Sequence, residues 1–309
     1  MYNKEQKERF LNDFFYNKET QRMVTYTFEK TAVLEEQFDT DLCNFNQVQL
    51  IDLLRYFNCP TENALGKYFN QIKQYAKWCT QHGLCTYNSA YFNIFRKDLK
   101  KYINVYAVEN QYIKNRAELY NVCEEIYNAV DRAIIVLLYE GVGGEKLIEL
   151  RELRKDDVKI IAKEINITNG EYPRPLSNVD DRTMDILEEA ISTYEYYTNN
   201  GESVAKAPKR YMIESDYVIR PTKMHNMDGS PISSMGIDVK FSKIKKWTGK
   251  YYLTATNIIY SGIFEKLAKI EENKELDTKD YRKTLIDSGI NPESYGMLKE
   301  RYETYKKYK

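Results

Sequence analysis

Residues 137–160 read LLYEGVGGEKLIELRELRKDDVKI. The pattern changes twice within this run. The apolar helix that enters it, ending in AIIVLLY, is stopped by Gly141, Gly143 and Gly144. A short helical stretch, EKLIELRELRKDDV, follows. The chain then alternates: VKIIAKEINITNGEYPRPLS turns in the manner of a small antiparallel sheet, and Asn169-Gly170 is its strongest hairpin signal. Helix, glycine turn, short helix and small sheet thus follow one another within about forty residues of this second half of the chain.

Upstream, apolar residues recur at helical spacing. Phe10, Leu11, Phe14 and Phe15 form one set, Val24, Phe28, Val33 and Leu34 a second, and Leu50, Leu53, Leu54 and Phe57 a third. The strongest pattern opens at Thr61, an N-cap candidate after Pro60. It carries Leu65, Phe69, Ile72, Ala76 and Cys79 and stops at Gly83. SAYFNIFRKDLKKYI closes the helical set. The expected boundaries are a helical domain over 1–105, a linker over 106–116 and an α+β domain over 117–309.

Downstream, residues 178–201 are expected as one helix, capped by Asn178 or Asp180 and stopped by Gly201. SDYVIRP reads as a short strand, and PISSMGIDVKFSKIKKWTGK as a helix with a basic face. Tyr251–Leu253 reads as the end of an extended segment. Thr254 or Thr256 then caps an apolar helix, and one or two helices finish the chain. The fold class is mostly α with a small antiparallel β-sheet.

The 309 residues hold 46 Lys plus Arg and 46 Asp plus Glu, so no global charge draws the chain to nucleic acid and any such binding must come from local clusters. The cysteines, Cys43, Cys59, Cys79, Cys85 and Cys123, are odd in number and lack Cys-x-x-Cys spacing, which reads as free thiols in a reducing cytoplasm. His82 and His225 are too few to suggest a zinc site. No apolar run reaches membrane-spanning length, and MYNKEQKERF does not read as a signal peptide. The expectation is a cytoplasmic protein with no cofactor, metal or membrane partner. The 28 tyrosines read as genome bias or as residues that stack on bases and touch phosphate.

The run 137–160 resembles the first conserved box of the tyrosine recombinase (phage integrase) family, with Gly144, Glu149, Leu150, Leu153, Asp157 and Val158 on the family's positions. The order of elements resembles the family as well, and LTATNIIYSGIFEKL stands where its second box would. The resemblance implies a two-domain tyrosine-recombinase-like fold: a helical, core-binding-like N-terminal domain and an α+β, catalytic-like C-terminal domain. It also implies a chemistry. Two arginines grip the scissile phosphate, a lysine in the sheet turn and a His or Trp assist proton transfer, and a tyrosine near the C-terminus attacks.

Carried over residue by residue, that cage is mostly missing. The first arginine falls on Lys146, which keeps charge but loses the two-donor fork. The His-x-x-Arg of the second box falls on Thr256-Asn257-Ile258-Ile259. The hairpin has no lysine between its strands, although Arg174 is near. Tyr281, Tyr295, Tyr302, Tyr305 and Tyr308 compete for the nucleophile's place, and each reads equally as a helix-face tyrosine. Losing one charge-stabilising donor costs about 10²–10³ in rate. The expectation is a protein that is no longer an enzyme, with Lys146, Thr256 and Ile259 as the degenerate positions.

What the resemblance leaves is a clamp on duplex DNA, held mostly by phosphate contacts. The candidate contacts in the first domain are Thr61, Asn63, Lys67, Tyr68, Gln71 and Lys73, on a helix of the type that reaches the major groove in this family. Those in the second are Lys146, Arg151, Arg154, Arg174, Lys240, Lys243, Lys245, Lys246, Lys250 and Thr256. Lys243 and Lys246, with Lys250 a turn further on, fall roughly on one helix face. Each cluster also reads as an ordinary solvated surface, and Arg154 and Lys155 also read as partners of Asp156 and Asp157. The expected function is sequence-specific double-stranded DNA binding by a phage or prophage transcriptional repressor that occupies its operator. The alternatives are an active but divergent site-specific recombinase and a helical interaction protein with no DNA role. A protein or peptide antirepressor would be a natural partner, but no residue marks its site. The oligomeric state is left open.

Overall fold

The computed structural model describes residues 1–104, 110–202, 208–223 and 229–307. They divide into two units, 1–109 and 110–307. His225, Tyr308 and residues 106–109 of the expected linker lie outside the described residues. Among the described residues no helix is long and apolar enough to cross a membrane.

The first unit is helical. Its elements are α1 (Lys4–Phe14), α2 (Lys18–Phe38), α3 (Gln47–Tyr56), α4 (Glu62–Gln81) and the single turn α5 (Ala90–Asn93), with 3-10 segments at Leu42–Asn44 and Arg96–Lys101. Local chemistry sets the helix starts. Asn17 accepts the N–H groups of Glu19 and Thr20, Asn46 forms a capping box with Gln49, and Thr61 accepts the Ala64 N–H. The apolar stripes of α1, α2 and α4 meet around Phe10, Phe28, Tyr75 and Trp78. The Phe10 ring lies 5.4 Å from Tyr75 and 5.7 Å from Trp78, both edge-on. One ion pair is sealed into this core: Lys7 Nζ lies 2.6 Å from both oxygens of Glu35, which also accept the Leu42 N–H and the Thr31 hydroxyl. Burial pushes the Glu35 carboxyl above its ordinary pKa, against the pull of the Lys7 charge.

The second unit is built around α7 (Ala129–Glu140), which is buried along almost its whole length. Around it lie α6 (Arg116–Glu124), α8 (Ile148–Arg151), α9 (Asp181–Ser192), α10 (Ser234–Thr248), α11 (Ala255–Glu271), α12 (Thr278–Ile286) and α13 (Tyr295–Lys307). Helices α9 and α11 pack on α7. The approach of α11 is so close that a Cβ on Gly262 would fall 1.8 Å from the Tyr139 carbonyl oxygen. A three-stranded antiparallel sheet, β1 (Val158–Lys159), β2 (Glu164–Ile167) and β3 (Arg174–Leu176), pairs in chain order. A second, two-stranded sheet pairs β4 (Glu195–Tyr197) with β5 (Lys209–Tyr211). Tyr112 and Ile113, inside the stretch read as a linker, are buried in this core, and the Ile113 N–H donates to Ser261 Oγ at 2.9 Å.

Several expectations need correction. The helix expected over 178–201 ends at Ser192, because Glu195–Tyr197 is drawn off to pair with residues 209–211. Its cap is Asp180, and Asn178 takes a left-handed turn before it. SDYVIRP forms no strand, only the isolated bridges Arg154↔Tyr217 and Met212↔Thr222 on and beside it. Tyr251 and Tyr252 form a turn, closed by the Leu253 N–H on the Lys250 carbonyl, and not an extended segment. The helix read at 89–103 is one α-turn and a 3-10 segment.

Candidate nucleic-acid interface

Helix α7 ends on Gly141 in the left-handed region (φ 98°), and the Val142 N–H reaches back to the Leu137 carbonyl at 2.9 Å. The turn beyond it is tight. Lys146 (φ 51°) and Leu147 (φ 59°) are successive non-glycine residues in the left-handed region, a strained arrangement that its surroundings must hold. Glu149 holds it. Its buried carboxylate accepts the Gly143 N–H at 2.9 Å and receives the Arg174 guanidinium at 2.8 and 2.9 Å. A Cβ on Gly144, Gly170 or Gly289 would lie 2.9, 2.9 and 2.7 Å from Glu149 atoms. The glycine turn, the β2–β3 loop and the loop after α12 therefore converge on one carboxylate.

Arg174 also donates to the carbonyls of Gly141 at 2.7 Å and Tyr172 at 2.6 Å. Its Nη donors are spent inside the protein, so it is a structural cross-link and not the DNA contact expected from the sequence. Ile259 is buried, and its Cδ1 lies 2.8 Å from where a Cβ on Gly143 would stand. A packed apolar contact occupies the place given to the second-box arginine. Lys146 and Thr256 are exposed. Thr254, and not Thr256, caps α11 by accepting the Asn257 N–H at 3.2 Å.

Of the candidate tyrosines, Tyr281, Tyr302 and Tyr305 are buried core residues. The Tyr302 hydroxyl donates to Glu271 at 2.8 Å. Burial raises the pKa of all three, with the Glu271 bond adding to the rise at Tyr302. Tyr295 is half-buried under the Arg282 guanidinium, 4.8 Å from its ring centroid.

The lysines of α10 separate into two groups. Lys240 is buried, bonded to Asp131 at 2.5 Å and 4.5 Å from the Tyr196 ring centroid. It is removed from the expected DNA face because its turn of α10 packs against α7. Lys243 and Lys246 stay exposed and Lys245 is half-buried. Lys250 leaves the helix at left-handed Gly249 and pairs with Glu125 at 2.6 Å, so it does not extend the face. Arg151 Nε donates to the Ile232 carbonyl at 2.8 Å. Arg154 lies over the Tyr217 ring and pairs at 3.9 Å with Asp216, a residue distant in sequence, not with its neighbours Asp156 and Asp157.

In α4 the sequence-predicted residues fall on different faces. Thr61 is spent as the cap. The Gln71 carbonyl accepts the Thr27 hydroxyl at 2.6 Å, Tyr68 stacks on Phe57, and Lys73 lies 4.9 Å from the Phe92 ring centroid. These three are turned toward the rest of the unit. Asn63 and Lys67 remain outward, with Asn63 Oδ1 accepting from Arg96 at 2.5 Å. The outward stripe continues through Asn70, Gln74, Lys77 and Gln81, all exposed. Sequence reasoning missed these four residues, although the step of three or four from Asn63 marks them as one face. Among the described residues no hydrogen bond or ion pair engages the side chains of Lys67, Asn70, Gln74, Lys77 or Gln81. The helix has a single carboxylate, Glu62, which faces Arg96 and Lys100 at 3.8 and 3.6 Å.

The model of the MrpR C-terminal catalytic domain matches residues 112–307, and that of the MrpR N-terminal core-binding domain matches residues 1–81. The chain belongs to the MrpR family. Its two domains are those of a tyrosine-recombinase-like, integrase-like protein, as the first box and the order of elements implied. A relative of this MrpR-family chain is the SPbeta prophage-derived uncharacterized protein YopR of Bacillus subtilis (strain 168). It is 20% identical over 290 residues, covering 93% of this chain and 88% of that protein. Two solved structures are similar at 12% identity. XerA recombinase covers 97% of this chain and 92% of its own at a TM-score of 0.41. The Tn1549 transposon integrase, solved in complex with circular intermediate DNA, covers 96% and 94% at 0.46.

Proposed function

We propose that this chain is a sequence-specific double-stranded DNA-binding protein that keeps the recombinase-like fold without its strand-transfer chemistry, and that it serves as a repressor in an SPβ-type prophage. The observation that carries the DNA-binding reading is the outward stripe of α4. Asn63, Lys67, Asn70, Gln74, Lys77 and Gln81 lie along one face of a 20-residue helix that presents no free carboxylate there. Amide side chains can bond adenine edges in a major groove, and the lysines between them suit the phosphates. Lys243 and Lys246 on α10 and Lys146 at the glycine turn would add backbone contacts in the second unit.

The loss of chemistry is supported by side chains at the box positions. A transition-state cage needs several fixed donors converging on the phosphate. Here Ile259 offers none, Arg174 is committed to Glu149, and Tyr281, Tyr302 and Tyr305 face the core. Repression would follow from occupancy: a bound operator excludes polymerase.

The test is a gel-shift series on promoter fragments of the element's own genome across a salt range. Binding is expected to weaken steeply with salt, by about 0.9 in the log–log slope per phosphate contact. No shift, or a shift insensitive to salt, overturns the DNA-binding reading. Nicked suicide substrates carrying the same site separate repressor from active recombinase. No covalent adduct is expected; an adduct abolished by Tyr295→Phe or Tyr308→Phe would establish an enzyme.

A further inference from the structure

The outward stripe of α4 divides by task. Steps of three or four residues lead from Asn63 through Lys67, Asn70, Gln74 and Lys77 to Gln81, all within one face about 80° wide. Side chains beside this face are engaged elsewhere. Gln71 accepts the Thr27 hydroxyl, and Lys73 lies over the Phe92 ring. Trp78 is buried, with the Arg9 guanidinium 5.7 Å from its ring centroid. What α4 offers a partner is therefore a single row of amides and lysines.

Spacing along the axis assigns the roles. At 1.5 Å per residue, Lys67 and Lys77 stand about 15 Å apart. A major groove is about 12 Å wide. A helix that crosses one brings these two lysines to its phosphate walls and places Asn70 and Gln74 over the floor between them. The two amides are about 6 Å apart along the helix. That exceeds the rise of about 3.4 Å per base pair, so they meet different pairs. Asn63 and Gln81 fall a turn outside the lysines, and Asn63 already accepts from Arg96 at 2.5 Å.

The side chains over the floor are thus two carboxamides. A carboxamide matches the N6 donor and N7 acceptor of adenine, whereas guanine presents two acceptors there and calls for Arg or Lys. Helix α4 contains no arginine. Its one carboxylate, Glu62, faces Arg96 and Lys100, so the cytosine amino group meets no acidic acceptor either. We infer that Asn70 and Gln74 set the operator sequence by reading the adenines of two A·T pairs in one major groove, with Lys67 and Lys77 on the flanking phosphates. This rests on the DNA-binding reading above and adds to it which bases are chosen and by which residues. A guanine at either place sets its acceptors against the amide oxygen and leaves a hydrogen bond unmade.

The experiment selects duplexes bound by the full chain from a random pool and measures the selected site by gel shift. An A·T pair is expected at each of two positions. Replacing either adenine by 7-deazaadenine, which keeps base pairing but removes N7, should weaken binding by about 5- to 150-fold, the scale of one bidentate contact. Asn70→Ala and Gln74→Ala should each abolish the preference for A·T over G·C at one position, a different one for each variant. Both side chains are exposed, so circular dichroism and unfolding temperature should match the parent. Lys67→Met and Lys77→Met should each lower the log–log salt slope by about 0.9 and keep both preferences. The inference is overturned if 7-deazaadenine is tolerated at both positions, if neither alanine variant relaxes a preference, or if the preferences follow the lysine variants instead. In each of those outcomes the parent still shifts DNA, so the DNA-binding reading stands; no shift with any duplex overturns both.

Discussion

The glycine-turn region around Glu149 and the outer face of α4 are both rich in polar residues, but they use them in opposite ways. Around Glu149 the strong groups are largely spent on one another: both Nη atoms of Arg174 are bonded to the carboxylate and two carbonyls, and Ile259 fills the space on Gly143. On α4, among the described residues, no hydrogen bond or ion pair engages the outward side chains of Lys67, Asn70, Gln74, Lys77 and Gln81, and only Asn63 is held, by Arg96. Polar groups that satisfy each other hold a fold together and are poorly placed to hold anything else. Polar groups left in water have no structural task and are available to a partner. Glu149, Arg174 and Ile259 are therefore spent as scaffold, whereas the outer face of α4 leaves its polar side chains in water.

The sharpest way to break this contrast is Arg174→Ala. If Arg174 is scaffold, the change leaves Glu149 buried without its counter-charge and lowers stability by about 3–5 kcal/mol, read by urea denaturation. Weakened DNA binding at unchanged stability would make it a contact instead. Within α10, Lys240→Met should likewise destabilise by a comparable amount, about 3–5 kcal/mol, by stranding Asp131. Lys246→Met should leave the denaturation midpoint alone and lower the salt slope of DNA binding by about 0.9.

On α4, Lys67→Glu combined with Lys77→Glu should cut the log–log salt slope by about 1.8. The same pair should change stability by no more than about 0.5 kcal/mol each. Ile259→Val removes one methylene from the packed contact on Gly143. It should cost about 0.5–1.5 kcal/mol and leave DNA binding unchanged.

The smallest effect concerns pH. Glu35 has a raised pKa in the folded state, so the folded chain holds more protons than the unfolded one between the ordinary and the raised value. Its contribution to stability is full below the unfolded pKa and is lost as pH rises through the folded one. Denaturation midpoints of the parent minus those of Glu35→Gln, taken from pH 4 upward in steps, should therefore decline over that window. A rising difference curve would reverse the assignment.

Much of the fold was legible because its signals are local. Thr61 caps α4 and Gly83 follows its end because both choices depend on residues within one turn. Helices α1 to α4, the glycine turn and the small sheet followed from short-range patterns in the same way. The β4–β5 pair was not legible. Glu195–Tyr197 has no strand signal strong enough to interrupt a helical reading, and its partner lies at 209–211, where pairing is a tertiary choice. The candidate site divided along the same line. Lys67, Lys243 and Lys246 are exposed, as a basic helix face suggests. Lys240 and Arg174 carry the same charge in the same neighbourhoods, but Lys240 is buried and Arg174 half-buried, each bonded to a carboxylate. Their partners, Asp131 and Glu149, are 109 and 25 residues away.

The sequence by itself determined the helical first unit, the box around Gly144 and Glu149, and the lysine at 146 and isoleucine at 259, because residue identity and short-range spacing need no knowledge of the fold. Only the tertiary structure decided which cations are spent inside and which face water. A lysine's role depends on whether the packed chain brings a carboxylate within about 3 Å of it, and that distance is set by elements far apart in sequence.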